Sequence, residues 1–186
     1  ELGTSTSSSD CPFYDCSKLQ EITFTGSAPT VKGYILYSVG NLRLIHVPKE
    51  EFHEYMDLVD NNYPTNARLV TIEMEEEFLV EDGVLVAYQG LGCDVVIPEG
   101  VTSIGNYAFQ GCKEMTSITI PEGVTAIGAY AFRNCSGLTQ VSLPDSLKQI
   151  GTYAFNNCDA LTGTLVIPDG VLTIGDYAFN DCDGIT

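Results

Sequence analysis

No stretch of this sequence approaches the roughly 18 consecutive apolar residues that a membrane-spanning helix requires, so direct insertion into a bilayer is not expected. Positive charge is scarce: 8 Lys and Arg stand against 25 Asp and Glu, for a net charge of -17. A field of that sign repels phosphate backbones and anionic surfaces, which excludes nucleic acid as a partner. Histidine is scarcer still. His46 and His53 stand seven residues apart and neither opens an H-E-x-x-H metal helix. There is no G-x-S-x-G elbow and no phosphate-cradling G-x-x-x-x-G-K loop, and Gly90-Leu91-Gly92 is an isolated G-x-G. Carboxylates are plentiful enough to supply a glycosidase pair, yet no spacing singles one out. The reading is therefore of a chain without catalytic residues, cofactor or metal, and not of an enzyme.

What is present is a foldable chain. Hydrophobic residues make up 44% and charged residues 18%, outside the composition of disordered segments. At 186 residues a compact fold would bury about 70% of its unfolded surface. The charge is unevenly placed: residues 1–96 hold 16 acids and 5 bases, residues 97–186 hold 9 and 3. Such a shift suggests two modules. Gly3 to Ser9 is small and polar and reads as a flexible end or linker over residues 1–10.

One pattern recurs four times: Ile97-Pro98-Glu99-Gly100-Val101-Thr102-Ser103-Ile104-Gly105-Asn106-Tyr107-Ala108-Phe109, then again from Ile120, Leu143 and Ile167, at spacings of 23, 23 and 24. Apolar positions fall into columns: Val101, Val124, Leu147 and Val171; Ile104, Ile127, Ile150 and Ile174; Phe109, Phe132, Phe155 and Phe179. A unit this short cannot close a core alone, so each buries its apolar face against its neighbours, as coils of a solenoid do. Met115, Ile118 and Ile120, then Leu138, Val141 and Leu143, give L-x-x-L-x-L spacing. Period-2 geometry turns Ile118 and Ile120 inward and Thr119 outward, so each repeat is expected to add one short strand to a parallel sheet. Leu161-Thr162-Gly163-Thr164-Leu165-Val166-Ile167 is one residue longer, which reads as a bulge at Gly163 with the register recovered afterwards.

The Ile-Gly-x-Tyr-Ala-Phe-x-x-Cys signature closely resembles the BspA-like leucine-rich-repeat family of bacterial cell-surface proteins. Phe13 to Phe24 matches the second half of a fifth copy, with Pro12 where the family has Ala. Asn41-Leu42-Arg43-Leu44-Ile45-His46-Val47-Pro48, followed by an amphipathic helix, is similar to the unit that closes arrays in this family, and Glu81 to Pro98 to a lead-in that opens one. The resemblance implies the end of one array followed by the beginning of another. The last copy halts at Thr186, inside its strand, which is the expectation for a piece of a longer protein.

The helix is expected at about 49–60: Pro48 at its first turn, Glu50 and Glu51 at its positive end, and Phe52, Tyr55, Met56 and Val59 on one face, with Asn61-Asn62 ending it. It would cover the open end of a core. Arg68 to Met74 and Gly83 to Tyr88 are strand-like, with Glu75-Glu76-Glu77 a solvated turn between them. The expected organisation is 11–74 for the partial repeat and closing cap, and 75–186 for the solenoid, with its lead-in at 75–96. The fold class is thus an α/β leucine-rich-repeat solenoid, with short parallel strands on one face, short helical or irregular turns on the other, and a small α+β capping segment in the N-terminal half.

Cys112, Cys135, Cys158 and Cys182, with Cys16 in the same place of its repeat, form a one-per-coil ladder, which suits small buried hydrophobes better than zinc, whose ligands come in close pairs. Cys11 and Cys16 could bridge in an oxidising compartment, leaving Cys93 as the odd thiol. Glu99, Glu122, Asp145 and Asp169 align about 5 Å apart along one edge, the spacing of adjacent strands. One oxygen donor per level falls short of calcium's six to eight, so these read as solvated turn residues.

Two surfaces remain as candidates for binding. Tyr107, Tyr130, Tyr153 and Tyr177 form an outer aromatic column, a residue type favoured at interfaces. The expected concave sheet face presents Thr23, Thr119, Ser142 and Val166, with Ser117, Gln140 and Thr164 nearby. The resulting expectation is a non-enzymatic protein-binding module of a bacterial cell-surface or secreted protein. Adhesion to host extracellular-matrix or cell-surface proteins, or to other cells, is what the resemblance implies. The alternatives are a structural spacer and an accessory repeat region of a larger secreted enzyme.

Overall fold

A computed structural model describes residues 13, 16, 18–26, 42–52, 54, 55, 67–71 and 76–186. The chain divides into two compact units, residues 1–75 and 76–186. The expected flexible end at 1–10 lies outside the described residues.

In the first unit three short strands, β1 (Glu21–Thr23), β2 (Leu44–Val47) and β3 (Arg68–Thr71), pair in parallel in that order. Ile22 sits opposite Ile45, and Ile45 opposite Leu69. Parallel neighbours need a crossover of a dozen residues or more, which is what the 23- and 24-residue spacing of these strands supplies. Ile45 and Val47 are fully enclosed. Pro48, with its ring-fixed φ of -60°, leads into a 3-10 turn at Lys49–Glu51 and helical backbone at Phe52, Glu54 and Tyr55. The Tyr55 ring packs 5.1 Å from Phe24, and its hydroxyl donates to the Gly26 carbonyl at 2.8 Å. The start of the expected helix is thus formed and buries Phe52 and Tyr55. It lies in the crossover between β2 and β3, so that β3 and not the helix follows β2 in the sheet. His53, Met56, Val59 and Asn61-Asn62 lie outside the described residues.

The second unit opens with a hairpin. β4 (Phe78–Glu81) pairs antiparallel with β5 (Val84–Tyr88) around Asp82 and Gly83, whose φ values of 48° and 80° are those of a tight two-residue turn. Glu76 and Glu77 precede it, both exposed, while Glu75 lies outside the described residues. The sequence reading of a lead-in found β5 but not β4, although Asp-Gly between apolar runs is a strong hairpin signal.

From there the chain coils. One sheet face carries β6 (Asp94–Val96), β8 (Ser117–Thr119) and β10 (Gln140–Ser142) in parallel. A second carries β7 (Ser103–Ile104), β9 (Ala126–Ile127), β11 (Gln149–Ile150) and β13 (Thr173–Ile174), stacked in parallel onto β5 with β4 as the outer edge. Each full coil therefore gives two strands, not the single one expected. The second set is two residues long, too short for alternation to announce it. β12 (Thr162–Gly163) pairs with β14 (Gly184–Ile185) but not with β10. This interruption is where the extra residue falls, and Gly163 takes the left-handed φ of 80° that its missing Cβ permits. The register resumes at Gln149 opposite Thr173.

The core lies between the two sheets. Val124, Leu147, Phe109, Phe132 and Phe155 are fully enclosed, and the Phe rings stack at 4.8–5.2 Å with interplanar angles of 5–11°. Ile118 and Ile120 point inward and Thr119 outward, as the alternation requires. The fourth members of the columns are looser: Val171 and Phe179 are only partly buried and Ile174 is 50% exposed.

Candidate functional site

The turns that join the sheets are irregular, held by coil-to-coil backbone bonds such as Phe109 N–H to Ala131 carbonyl and Phe132 N–H to Ala154 carbonyl, both 2.7 Å. Two positions in each turn are left-handed. One is Gly111, Asn134, Asn157 and Asp181, residue types that tolerate this region. The other is the tyrosine column, with φ of 55–61° at Tyr107, Tyr130, Tyr153 and Tyr177. Adjacent rings stack at 4.9–5.2 Å and 5–13°. Tyr130 and Tyr153 are thus stacked on both faces and Tyr107 and Tyr177, at the ends, on one each, with Tyr177 61% exposed. The Arg133 guanidinium lies 5.5 Å from the Tyr130 ring centroid. Sequence reasoning placed the column correctly but missed its strained backbone, because no propensity assigns tyrosine to it.

The cysteine ladder is internal. Cys135, Cys158 and Cys182 each place Sγ 3.0–3.1 Å from the carbonyl of Phe109, Phe132 and Phe155, one coil back. Burial pushes the Cys135 thiol well above its usual value. Cys112 is likewise buried, Cys93 is exposed and Cys16 is a free thiol, while Cys11, the other half of the bridge considered from sequence, lies outside the described residues. Glu99, Glu122, Asp145 and Asp169 are exposed. The Glu122 carboxylate accepts from the Asp145 and Ser146 amides at 3.1 and 3.2 Å, capping the next turn. Among the described residues no three His, Cys, Asp or Glu side chains cluster as metal ligands would. His46 Nε2 stands 3.6 Å from the Glu21 carboxylate on the neighbouring strand.

The other candidate surface is the outer face of β6, β8 and β10. Val96, Thr119 and Ser142 share one row, Asp94, Ser117 and Gln140 another. Thr119, Ser142, Gln140, Thr164 and Val166 are exposed and Ser117 half-buried. Thr23 is exposed on β1, in the first unit. Ser117 Oγ donates to Asp94 Oδ1 at 2.8 Å and Thr139 Oγ1 to the Thr116 carbonyl at 2.9 Å, which fixes the hydroxyls in place. Where β10 fails to pair with β12 the face opens into a groove of about 490 Å³. Its lining includes Thr119, Gln140, Ser142, Thr162 and Thr164, with no charged and no aromatic side chain. The structure thus gathers most of the expected sheet residues around one opening. Thr139 and Thr162 also line it and were not singled out from sequence; the one-residue insertion at Gly163 was the signal that could have found them.

The profile of the BspA-type leucine-rich-repeat region matches residues 3–74 and 92–186 in six copies. No curated protein matches the chain. Among solved structures, a leucine-rich cell surface protein from Faecalibacterium prausnitzii is 19% identical with a TM-score of 0.58, over 93% of this chain and 54% of that one. The pneumococcal vaccine antigen PcpA is 20% identical with a TM-score of 0.53, over 88% of this chain and 49% of that one. A Treponema pallidum leucine-rich-repeat protein (T. pallidum, TpLRR) is 28% identical with a TM-score of 0.48, over 55% of this chain and 61% of that one. The chain spans about half the length of the first two, and the likeness to them is one of fold.

Proposed function

This chain belongs to the BspA-type leucine-rich-repeat family, and on that premise we propose that it is a non-enzymatic protein-binding module of a bacterial cell-surface or secreted protein, serving adhesion to host or cellular proteins. The observation that carries the reading is the outer face of β6, β8 and β10: rows of exposed Thr, Ser and Gln side chains on a stacked, hydrogen-bonded scaffold, opening into a groove of about 490 Å³. Rigid side chains on stacked repeats suit recognition of an extended surface, and they bring no nucleophile, base or metal to one point. The surface location rests on the family.

The test is binding of the whole chain to immobilised extracellular-matrix and mucosal proteins beside a Thr119→Lys, Ser142→Lys variant. Both side chains are exposed, so the variant keeps its fold, checked by circular dichroism. Saturable binding that falls at least tenfold in the variant supports the reading. Binding by neither protein favours a spacer, and equal binding by both moves recognition to another face.

A further inference from the structure

The parallel ladder on the outer face assigns a direction to each backbone group. Ile97 N–H donates to the Thr119 carbonyl at 3.1 Å and Ser117 N–H to the Cys93 carbonyl at 3.1 Å, so Ser117 and Thr119 pair backward, toward the previous coil. In a parallel pair alternate residues face opposite neighbours. Ile118 then pairs forward to β10, and Val141, which stands opposite Ile118, turns its own N–H and C=O toward the fourth coil. There the ladder stops. Among the described residues the backbone bond that reaches back from β12 is Thr162 N–H to the carbonyl of Thr139, the residue before β10, stretched to 3.4 Å, and none across the gap engages Val141. The corresponding bond one coil earlier, Thr139 N–H to the Thr116 carbonyl, is 2.9 Å. Val141 lines the groove together with Gly163.

We propose that this groove binds an extended peptide segment of a partner protein, one that is uncharged where it enters the groove and basic on its flanks; the proposal rests on the protein-binding reading above and names the partner's chemistry. Three features of the site select that occupant. A backbone donor and acceptor left over by an interrupted ladder are complementary to the main chain of another extended segment, the basis of recognition by strand addition. The lining mixes Thr, Ser and Gln, which can hydrogen-bond peptide groups, with aliphatic side chains such as Leu161 and Leu165, and has no charge to pair with a buried ion, which would be costly to bring in. The unit that holds it, residues 76–186, carries fourteen acidic and three basic side chains, so its net field favours Lys or Arg on the flanks of an incoming segment. A sugar chain is the poorer fit, because no aromatic side chain lines the groove to offer a stacking face.

The test selects random twelve-residue peptides displayed on phage against the full chain, then measures the enriched peptides in solution by fluorescence anisotropy. The expected outcome is enrichment of uncharged centres flanked by Lys or Arg. Binding should weaken at least tenfold in Gln140→Arg, Thr164→Arg, remain unchanged in Ser136→Arg on an exposed turn outside the groove, and slow hydrogen exchange of the Val141 amide at least tenfold. Gln140, Thr164 and Ser136 are all exposed, so these variants keep the fold. The proposal is overturned if no peptide is enriched, if the enriched peptides are acidic, if they bind the groove variant equally, or if Val141 stays unprotected. Binding of chitohexaose that is lost in the groove variant, with no peptide bound, also overturns it in favour of a carbohydrate. If matrix-protein binding is lost in Thr119→Lys, Ser142→Lys while no peptide protects Val141, the module still binds protein but not by this groove.

Discussion

The Tyr130 and Tyr153 rings lie parallel, 5.2 Å between centroids and 5° between planes, although both residues occupy left-handed backbone, at φ 58° and 55°. That conformation costs a non-glycine residue about 1–2 kcal/mol, and ring stacking returns about 0.5–1.5 kcal/mol beyond the area it buries. Replacing Tyr153 by Ala removes the stacking and keeps the strain; replacing it by Gly removes both. Tyr153 stacks on both Tyr130 and Tyr177, so Tyr153→Ala is expected to lower stability by about 1–3 kcal/mol and Tyr153→Gly by about 1 kcal/mol less than that. Urea unfolding of the two variants beside the parent chain checks the order, and a glycine variant less stable than the alanine one would show that the backbone is not strained.

Gly128 marks where neighbouring coils touch. A Cβ there would stand 2.7 Å from the Asn106 amide nitrogen and 2.7 Å from the Gly105 carbonyl carbon, backbone atoms that cannot swing aside. Gly128→Ala should cost about 3 kcal/mol, at the upper end of overpacking, whereas Gly123→Ala, with open space at its Cβ, should cost only the strain of its φ of 101°. Thermal unfolding midpoints of the pair decide this, with the larger drop expected for Gly128.

Alkylation with iodoacetamide should sort the cysteines by position. Cys93 is exposed and is expected to react promptly in the native protein. Cys112, Cys135 and Cys158 are buried and should react at least about a hundredfold more slowly, waiting on local opening. Peptide mass mapping over time reads each site, and fast modification of Cys135 without denaturant would contradict the enclosed ladder.

Tyr88 gives the second unit an alkaline limit. Burial, together with the nearby Glu77 carboxylate, pushes its phenol up to about 12, even though its oxygen accepts the Gly92 amide at 2.9 Å. Unfolded chains ionise tyrosine near 10, so between about 10 and 12 the unfolded state holds fewer protons than the folded one. The stability that Tyr88 contributes is whole below pH 10 and is lost as pH rises through 10 toward 12. Tyr88→Phe should flatten that part of the stability profile, measured by denaturation at stepped pH; an unchanged slope would assign it to other groups.

Much of the solenoid was legible because it repeats. Phe109, Phe132 and Phe155 announce a stacked column by spacing alone, and Ile118 beside Thr119 announces a half-buried strand. Strands such as Ser103–Ile104 were not legible, since two residues cannot display a period and are defined only by pairing with the coils on either side, Val84–Leu85 and Ala126–Ile127. The left-handed turn at Gly111, Asn134, Asn157 and Asp181 was written in residue types and could have been read, but the same conformation at Tyr107 could not, because tyrosine has no intrinsic preference for it. The groove was half-written: the insertion at Gly163 pointed to a bulge, while the loss of pairing between β10 and β12 depends on how the two coils settle against each other. Nothing in residue type alone marks Val141 as the position whose backbone faces that gap.

The β4–β5 hairpin closes across Asp82 and Gly83, whereas the parallel pairs β5–β7, β7–β9 and β9–β11 each join residues 19 to 23 apart along the chain. Contacts between near neighbours in sequence form first, because less chain entropy is surrendered in closing them. Folding of the second unit should accordingly be directional, starting at residues 78–88 and advancing toward Thr186 one coil at a time. Each finished coil then acts as the template on which the next one crystallises, and a ribosome that releases the hairpin first would find the rest of the array already primed to wind.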